Sequence, residues 1–246
     1  MSHEEKKPSI SVRKYIKWGD TFPVENTSTI VLTSPKERYF ADVRLRIPLP
    51  VAGGDAVRDP DQLDWAFAGT SSHDADASPP HSVFRHWVDS RHADAAAVVD
   101  EGDMVPSNQP GETVESGRMV NPDTGVMQRY EECWVDEEPG EGEASKGWVL
   151  RRHDDEEKEE GAGAGGGGRG MVVKIGSRVQ GILRVGAEVA VGRWEITAPG
   201  SSSWTAVAEI GGMAKTGFPT GLPAAPAVGE KVRAQDGRQW VCLESW

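Results

Sequence analysis

The amino-acid sequence predicts an all-β protein made of antiparallel strands. Short apolar runs recur along the chain, and several alternate with polar residues in the period-two pattern of a half-buried strand. Turn residues, mainly Gly and Pro, separate these runs at intervals of about 8 to 12 residues. Helical composition is confined to one short stretch, Ala93–Val99. Together these observations indicate an antiparallel sandwich or barrel.

Four strands are predicted before residue 90. Thr29–Thr33 is rich in β-branched residues, which favour strands. In Tyr39–Ile47, apolar and charged side chains fall on opposite faces, and Pro48 ends the strand because proline cannot donate to the ladder. Leu63–Gly69 and Val83–Asp89 are the next two strands, with a proline-containing break between them.

A β-hairpin is predicted around Asn121–Gly125. The proline of this segment presets φ and its glycine readily adopts positive φ, which is the chemistry of a tight turn. Strand pieces at Thr113–Glu115 and Met119–Val120 precede the turn, and Val126–Val135 returns as a strand.

The strand pattern resumes after a tract without strand character. Residues 154–160 are nearly all acidic and residues 161–170 are nearly all Gly and Ala, so charge repulsion and glycine entropy both oppose order there. Five further strands are predicted: Met171–Ile175, Val179–Val185, Val189–Ile196, Thr205–Ile210 and Gln239–Glu244.

Composition limits the partners and the cellular setting. The net charge is −12, and such a surface repels nucleic-acid phosphates and anionic membranes. No apolar run reaches the roughly 18 residues of a membrane span, so membrane insertion is not expected. The two cysteines, Cys133 and Cys242, imply neither a disulfide framework nor a zinc site. Because the first residues contain no apolar leader, a reducing location in the cytoplasm or nucleus is expected.

The sequence contains no recognisable catalytic, metal or cofactor motif. The patterns Gly-x-Ser-x-Gly, His-Glu-x-x-His and the Walker loop are all absent. His81 and His86 are five residues apart, so within one regular strand they would face opposite sides and share no metal. We therefore predict no catalytic residues, no metal ligands and no cofactor.

A pocket is the remaining candidate site. Glu131 and Glu132 are adjacent in a predicted strand, so one points inward, where it would pair with Arg44, Arg46 or Arg129. An interior Arg–Glu pair is either a structural bridge or a polar anchor for a ligand. Aromatic side chains nearby either fill the core or line a cavity for a small apolar molecule bearing a polar group. The pocket candidates are Arg44, Trp65, Phe67, Trp87, Glu115, Tyr130, Glu132 and Trp134.

Several segments, in their order along the chain, resemble the fungal Hri family. The most specific is the run Trp65–Thr70, and the resemblance covers residues 27–138 and 171–246. The other segments are Thr27–Ser34, Tyr39–Arg44, Trp87–Ser90, Glu115–Gly117, Asn121–Gly125, Tyr130–Trp134, Gln180–Gly181 and Gly192–Trp194.

The resemblance implies two antiparallel, lipocalin-like (calycin-type) β-barrel domains in a soluble protein of the cytoplasm and nucleus. On this basis residues 1–20 are a flexible N-terminus and residues 21–140 are the N-terminal barrel. Residues 145–246 are the C-terminal barrel, which a disordered acidic and Gly-rich loop at 153–170 interrupts.

Three functions are compatible with these predictions. The first is a non-enzymatic protein-interaction module, for which the family resemblance implies a casein kinase I-type protein kinase as the partner. The second is a carrier that binds a small apolar ligand in the first barrel. The third is a barrel isomerase or dehydratase with a Glu or His base. The most informative observation is whether the first barrel encloses an open cavity of at least about 300 Å³.

Overall fold

Eight consecutive antiparallel strands close into a barrel in the N-terminal half of the computed structural model. Each strand pairs with the next, and β8 pairs back with β1. The strands are β1 (Ser9–Trp18), β2 (Thr27–Thr33), β3 (Tyr39–Arg46), β4 (Leu63–Asp74), β5 (His81–Asp89), β6 (Asp100–Pro106), β7 (Glu112–Val120) and β8 (Met127–Glu137).

The structure describes residues 7–50, 54–139, 145–153, 168–196, 203–219 and 225–246. Within these ranges the helical elements are two short 3-10 turns, Pro60–Gln62 and Ala95–Ala97, the second of which lies in the predicted helical stretch. In the same ranges, no helix has the length and apolar character needed to cross a bilayer. The prediction of an all-β protein is confirmed.

The first strand corrects the predicted flexible N-terminus. Residues 9–18 form β1, which pairs with both β2 and β8 and so closes the barrel. The sequence of β1 is polar because Arg13 points into the barrel, where carboxylates neutralise its charge. A β-bulge between Arg13 and Tyr15 interrupts the period-two pattern that would have identified this strand. Residues 1–6 lie outside the described residues.

Strand β3 shows how the two halves of the chain share one core. Its inward side chains include Asp42 and Arg44, which line the barrel cavity. Its outward side chains, Ala41, Val43 and Leu45, are fully buried in an apolar cluster against the second half of the chain. The predicted alternation is therefore present, with the charged face inside the barrel and the apolar face outside it.

The predicted hairpin is confirmed as the β7–β8 connection. Val120 pairs with Met127, and the turn lies between them. The Asn121 side chain accepts a hydrogen bond from the backbone N–H of Asp123 at 2.8 Å, and Gly125 has φ of 69°. Both features are typical of a tight turn built from Asn, Pro and Gly.

The second half of the chain forms one seven-stranded antiparallel sheet in the order β13-β12-β11-β10-β9-β15-β14. Its strands are β9 (Gly147–His153), β10 (Gly168–Ile175), β11 (Arg178–Val185), β12 (Glu188–Glu195), β13 (Thr205–Ile210), β14 (Lys231–Arg233) and β15 (Gln239–Ser245). Residues 168–170 of the predicted loop belong to β10, and residues 154–167 lie outside the described residues.

A second closed barrel is not confirmed. The end strands β13 and β14 do not pair with each other, and β14 has only three residues. Large side chains fill the sheet face that points away from the first barrel. Among them, Trp240 is fully buried, contacts Phe218 and donates to the carbonyl of Gly217 at 3.0 Å. This sheet is therefore a packed layer.

Two buried polar side chains fix the sheet to the outside of the barrel. Gln180 donates to the carbonyls of Ile30 and Ala41, each at 2.9 Å. Arg193 donates to the carbonyl of Val43, and its Nε donates to Gln180 Oε1 at 2.9 Å. Because a buried polar group is costly when unsatisfied, these bonds specify one docking geometry for the two halves.

Candidate functional site

The barrel interior contains a cavity of about 710 Å³ that opens at one end. The entrance is formed by the turn between β2 and β3, including Lys36 and Arg38, and by His73 near the end of β4. Proteins bind small molecules in cavities of about 300 to 1,000 Å³, so the volume is sufficient for a ligand.

One wall of the cavity is aromatic. Phe40, Phe67 and Phe84 line it from three consecutive strands. The ring of Phe40 makes edge-on contacts with both other rings, at centroid distances of 5.8 Å. Trp134 lines the cavity from β8. These rings offer apolar surface to a bound molecule.

The floor of the cavity is a buried network of charged side chains. Arg44 donates to Asp42 Oδ2 at 2.8 Å and to Glu132 Oε1 at 3.0 Å. Arg13 donates to Glu132 and to Glu25. Burial opposes ionisation of Glu132, but the guanidinium groups of Arg44 and Arg13 outweigh it and lower the pKa of this carboxyl. Of the pairings that the sequence left open, the structure contains the one between an inward Glu132 and Arg44.

Asp42 has one carboxylate oxygen that is engaged and one that is not. Its Oδ2 accepts from Arg44, whereas Oδ1 has no hydrogen-bond partner within the described part of the chain. The side chain is 3% exposed and lines the cavity. Burial raises the pKa of Asp42, and Arg44 acts in the opposite direction. A buried acceptor without a donor is costly, so a ligand donor placed here would be stabilised.

Glu115 faces the charged floor from the adjacent strand. It is the cross-strand partner of Glu132 in the β7–β8 pair and is 4% exposed. Burial, together with the charges of Glu132 and Asp100, raises the pKa of Glu115 to about 8. Two inward carboxyl groups this close cannot both ionise cheaply, so Glu115 is protonated at neutral pH.

Tyr130 completes the hydrogen bonding of protonated Glu115. Its Oη lies 2.8 Å from Glu115 Oε1 and 3.1 Å from the carbonyl of Glu101. A phenol has a single proton, so Tyr130 donates to the carbonyl of Glu101 and accepts from Glu115. Trp134 Nε1 donates to the other oxygen of Glu115 at 3.1 Å.

His86 is a buried histidine beside the cavity. Its Nδ1 lies 2.8 Å from Asp89 Oδ2, its Nε2 lies 3.0 Å from Asp100 Oδ2, and its ring stacks on Phe67 at 4.2 Å. Burial disfavours the charged imidazole, but the bonds to Asp100 and Asp89 outweigh it and raise the pKa of His86. Of these residues, Asp100 and Phe67 reach the cavity.

Five of the eight predicted pocket residues line the cavity: Arg44, Phe67, Glu115, Glu132 and Trp134.

The other three predicted residues do not line it. Trp65 is buried behind the wall, against Phe67, with its Nε1 donating to Asp89 at 3.0 Å. Tyr130 supports Glu115 and borders a second cavity of about 720 Å³ at residues 17–20 and 116–118. Trp87 lies outside the barrel, where the guanidinium groups of Arg151 and Arg169 stack on it.

Sequence reasoning missed several residues of the site: Arg13, Phe40, Asp42, Phe84, His86, Asp89 and Asp100. For Phe40 and Asp42 a signal was present, because they share the period-two face of Arg44. For His86 and Asp89 it was not. A β-bulge makes Trp87 the extra residue of β5, and this allows two residues three apart to point inward together.

Comparison with known proteins is consistent with this architecture. The family model described as Protein HRI1 matches residues 9–244. A crystal structure of an uncharacterized protein from Saccharomyces cerevisiae is similar to this chain, with a TM-score of 0.70 and 17% sequence identity. The similarity covers 97% of this chain and 99% of the yeast chain. No curated protein sequence gives a significant match. Since the family match spans nearly the whole chain, the protein belongs to the HRI1 family.

Proposed function

We propose that this HRI1-family protein binds a small organic molecule inside its N-terminal barrel. The observation that carries the proposal is the cavity of about 710 Å³, which is open at one end and ends on a buried polar floor. An aromatic wall formed by Phe40, Phe67 and Phe84 would contact the apolar body of the ligand. The unengaged Oδ1 of Asp42 would bind a polar group.

The contrast between the two halves of the chain supports this proposal. In the C-terminal sheet, Trp194, Phe218 and Trp240 pack together and fill the concave face. In the barrel, the cavity lining also includes small polar side chains, such as Ser82 on β5 and Thr113 on β7, which leave space beside the aromatic rings. A barrel stabilised only as a scaffold would gain apolar contacts by filling this space, as small barrels do.

The experiment uses N-phenyl-1-naphthylamine, a neutral aromatic dye whose fluorescence increases in apolar sites. We expect saturable binding at one site per chain. Thr113 lines the cavity and Val114, the next residue, does not, so Thr113→Trp fills the cavity and Val114→Trp is its matched control. Binding should be lost in Thr113→Trp and kept in Val114→Trp.

Val31 lines the cavity from β2, so Val31→Trp is a second cavity-filling variant. It keeps the test decisive if Thr113→Trp does not fold. Circular dichroism establishes that each variant is folded. If folded cavity-filling variants bind the dye as well as the native protein does, the barrel cavity is not the binding site and the proposal fails.

Other expectations from the sequence stay predictions. These are a protein-interaction role with a casein kinase I-type partner, a cytoplasmic and nuclear location, and a barrel isomerase or dehydratase activity.

A further inference from the structure

We propose that the ligand of the barrel carries a protonated amine, and that this ammonium group binds Asp42 at the cavity floor. The inference rests on the proposed ligand-binding function and specifies its chemical class. It follows from the hydrogen bonds of Asp42, from the balance of buried charge and from the aromatic wall.

Asp42 presents one carboxylate oxygen that a ligand could use. Its Oδ2 accepts two hydrogen bonds from Arg44, at 2.8 and 3.1 Å. Its Oδ1 is buried and has no partner among the described residues, although the side chain lines the cavity. An ammonium group presents three donors and no acceptor, so it complements a lone carboxylate oxygen better than a carbonyl or ether does.

The buried charges around Asp42 also favour a cation. In the hydrogen-bonded cluster of the floor, carboxylates outnumber guanidinium groups. The carboxylates are Glu25, Asp42 and Glu132, and the guanidinium groups are those of Arg13 and Arg44. A cation entering from the cavity would reduce this excess, whereas an anion would increase it.

The behaviour of Glu115 reports the same field. Its pKa rises to about 8 through burial and through the charges of Glu132 and Asp100, with Arg44 opposing. Burial opposes any charge at the floor, but Glu132 and Asp100 repel only a further negative charge, so a cation is opposed less than an anion there.

Every guanidinium nitrogen of the floor arginines already donates to a protein group. Arg44 uses Nε and Nη2 on Asp42 and Nη1 on Glu132. Arg13 uses Nε on Glu25 and its two terminal nitrogens on Glu132, Glu25 and Thr27. An incoming carboxylate or phosphate would have to share these arginines with buried carboxylates, which would repel it.

The aromatic wall also suits a cation. Phe40 lines the cavity two residues before Asp42 on β3, Phe84 lines it from β5, and the two rings meet edge to face at 5.8 Å. The faces of such rings attract a desolvated ammonium group and also accept the apolar body that carries it. Arg44 already uses the ring of Phe67 in this manner, at 5.3 Å, so the wall is one on which cations bind.

The test compares three probes with one apolar body: 2-(1-naphthyl)ethylamine, 2-(1-naphthyl)ethanol and 1-naphthylacetate. Calorimetry at pH 7 is done with the native protein and with Asp42→Asn. We expect the amine to bind about ten-fold more tightly than the alcohol, as a charge-assisted hydrogen bond provides, and the carboxylate to bind most weakly. In Asp42→Asn the preference for the amine over the alcohol should disappear while the alcohol affinity is kept.

The outcomes separate this inference from the proposed function. If the alcohol binds as tightly as the amine, or the carboxylate binds most tightly, the ammonium inference is wrong while binding in the barrel still stands. If none of the three probes binds, and N-phenyl-1-naphthylamine does not bind either, both proposals fail. The comparison among probes on the native protein does not depend on whether Asp42→Asn folds.

Discussion

Glu244 Oε2 accepts a hydrogen bond from Ser34 Oγ at 2.8 Å, and the two residues come from opposite ends of the chain. The same carboxylate also accepts from the backbone N–H groups of Lys36, at 2.9 Å, and Glu37, at 3.2 Å. These residues form the β2–β3 turn at the cavity entrance, where Arg38 adopts φ of 57°. The C-terminal sheet therefore holds the shape of the entrance to the N-terminal barrel.

The first prediction concerns this contact. Glu244→Ala should lower the free energy of unfolding by about 2 kcal/mol, because three donors at the turn lose a charged acceptor. The amides of Lys36 and Glu37 should also exchange faster with solvent. Urea unfolding and amide hydrogen exchange measure the two effects. Glu188→Ala, at an exposed position, is the control and should change neither. Unaltered exchange at the turn in Glu244→Ala would mean that the sheet does not hold the entrance.

The second prediction concerns Glu115. Its pKa is near 4.5 when exposed and is raised to about 8 in the folded protein, so folding retains a proton that the unfolded chain releases. Its contribution to stability is complete below pH 4.5 and is lost as the pH rises through 8. Between these values stability should fall by about 1.4 kcal/mol per pH unit from this group.

Glu115→Gln tests this sign directly. A glutamine amide can donate to Tyr130 and accept from Trp134, as protonated Glu115 does, and it does not titrate. The variant should match the native protein at pH 5 and be the more stable of the two at pH 9. Urea unfolding at both pH values makes the measurement. A variant that is less stable than the native protein at pH 9 would show that the folded barrel does not raise the pKa of Glu115.

Period-two patterns could be read from the sequence because they are local. The alternation of Tyr39–Ile47 and the inward direction of one of two adjacent glutamates both follow from strand geometry. Charge then predicts an arginine partner, but the choice of Arg44 over Arg46 and Arg129 needed the structure. What could not be read depends on bulges and on distant contacts. The bulge in β1 interrupts the period-two pattern by which that strand would be predicted. The bulge in β5 lets His86 and Asp89, three residues apart, both point inward, which regular alternation does not predict.

Local sequence patterns also could not show whether the second sheet closes into a barrel. Its strands were predicted at nearly the right positions, but closure requires the two end strands to meet. The end strand β14 has only three residues and does not pair with β13. The side chains of Phe218 and Trp240 occupy the space that a second cavity would need. Such a result is set by tertiary packing between residues that are far apart in sequence.

The third prediction concerns the buried charge network. Glu132→Gln removes the carboxylate that Arg13 and Arg44 share, and leaves two guanidinium groups with less compensation. Breaking a buried ion pair from one side costs about 3 kcal/mol or more, so a loss of this size is expected in urea unfolding at pH 7.

Glu131→Gln is the matched control for this substitution. Glu131 is the next residue on the same strand and faces the other side, where it accepts from Tyr15 at 2.8 Å. A glutamine can still accept that bond, so the change in stability should stay within about 0.5 kcal/mol. Equal losses for the two variants would show that the network contributes no more than an ordinary surface group.

The fourth prediction concerns His86 and its two carboxylates. The pKa of His86 is raised above its usual 6.5, so the stability from its charge is complete below that value and is lost as the pH rises through the folded-state pKa. Burial opposes ionisation of Asp89, but bonds from His86 and Trp65 outweigh it and lower its pKa from 3.8 to about 2. The Asp89 contribution is present above 3.8 and is lost as the pH falls through 2. The His86–Asp89 contact should therefore be fully stabilising between about pH 4 and pH 6.5.

His86→Phe preserves the stack on Phe67 and removes both donors from Asp89 and Asp100. At pH 5.5 the variant should lose about 3 kcal/mol of stability, because two largely buried carboxylates lose their cation. As the pH is raised from 5.5 through the folded-state pKa of His86, the loss should shrink, since a neutral imidazole donates only one of the two bonds. His92→Phe is the control, because His92 contacts the same Asp89 from a side chain that is 52% exposed. Urea unfolding as a function of pH makes the measurement: a loss for His86→Phe that does not change with pH would contradict a contribution from the titration of His86.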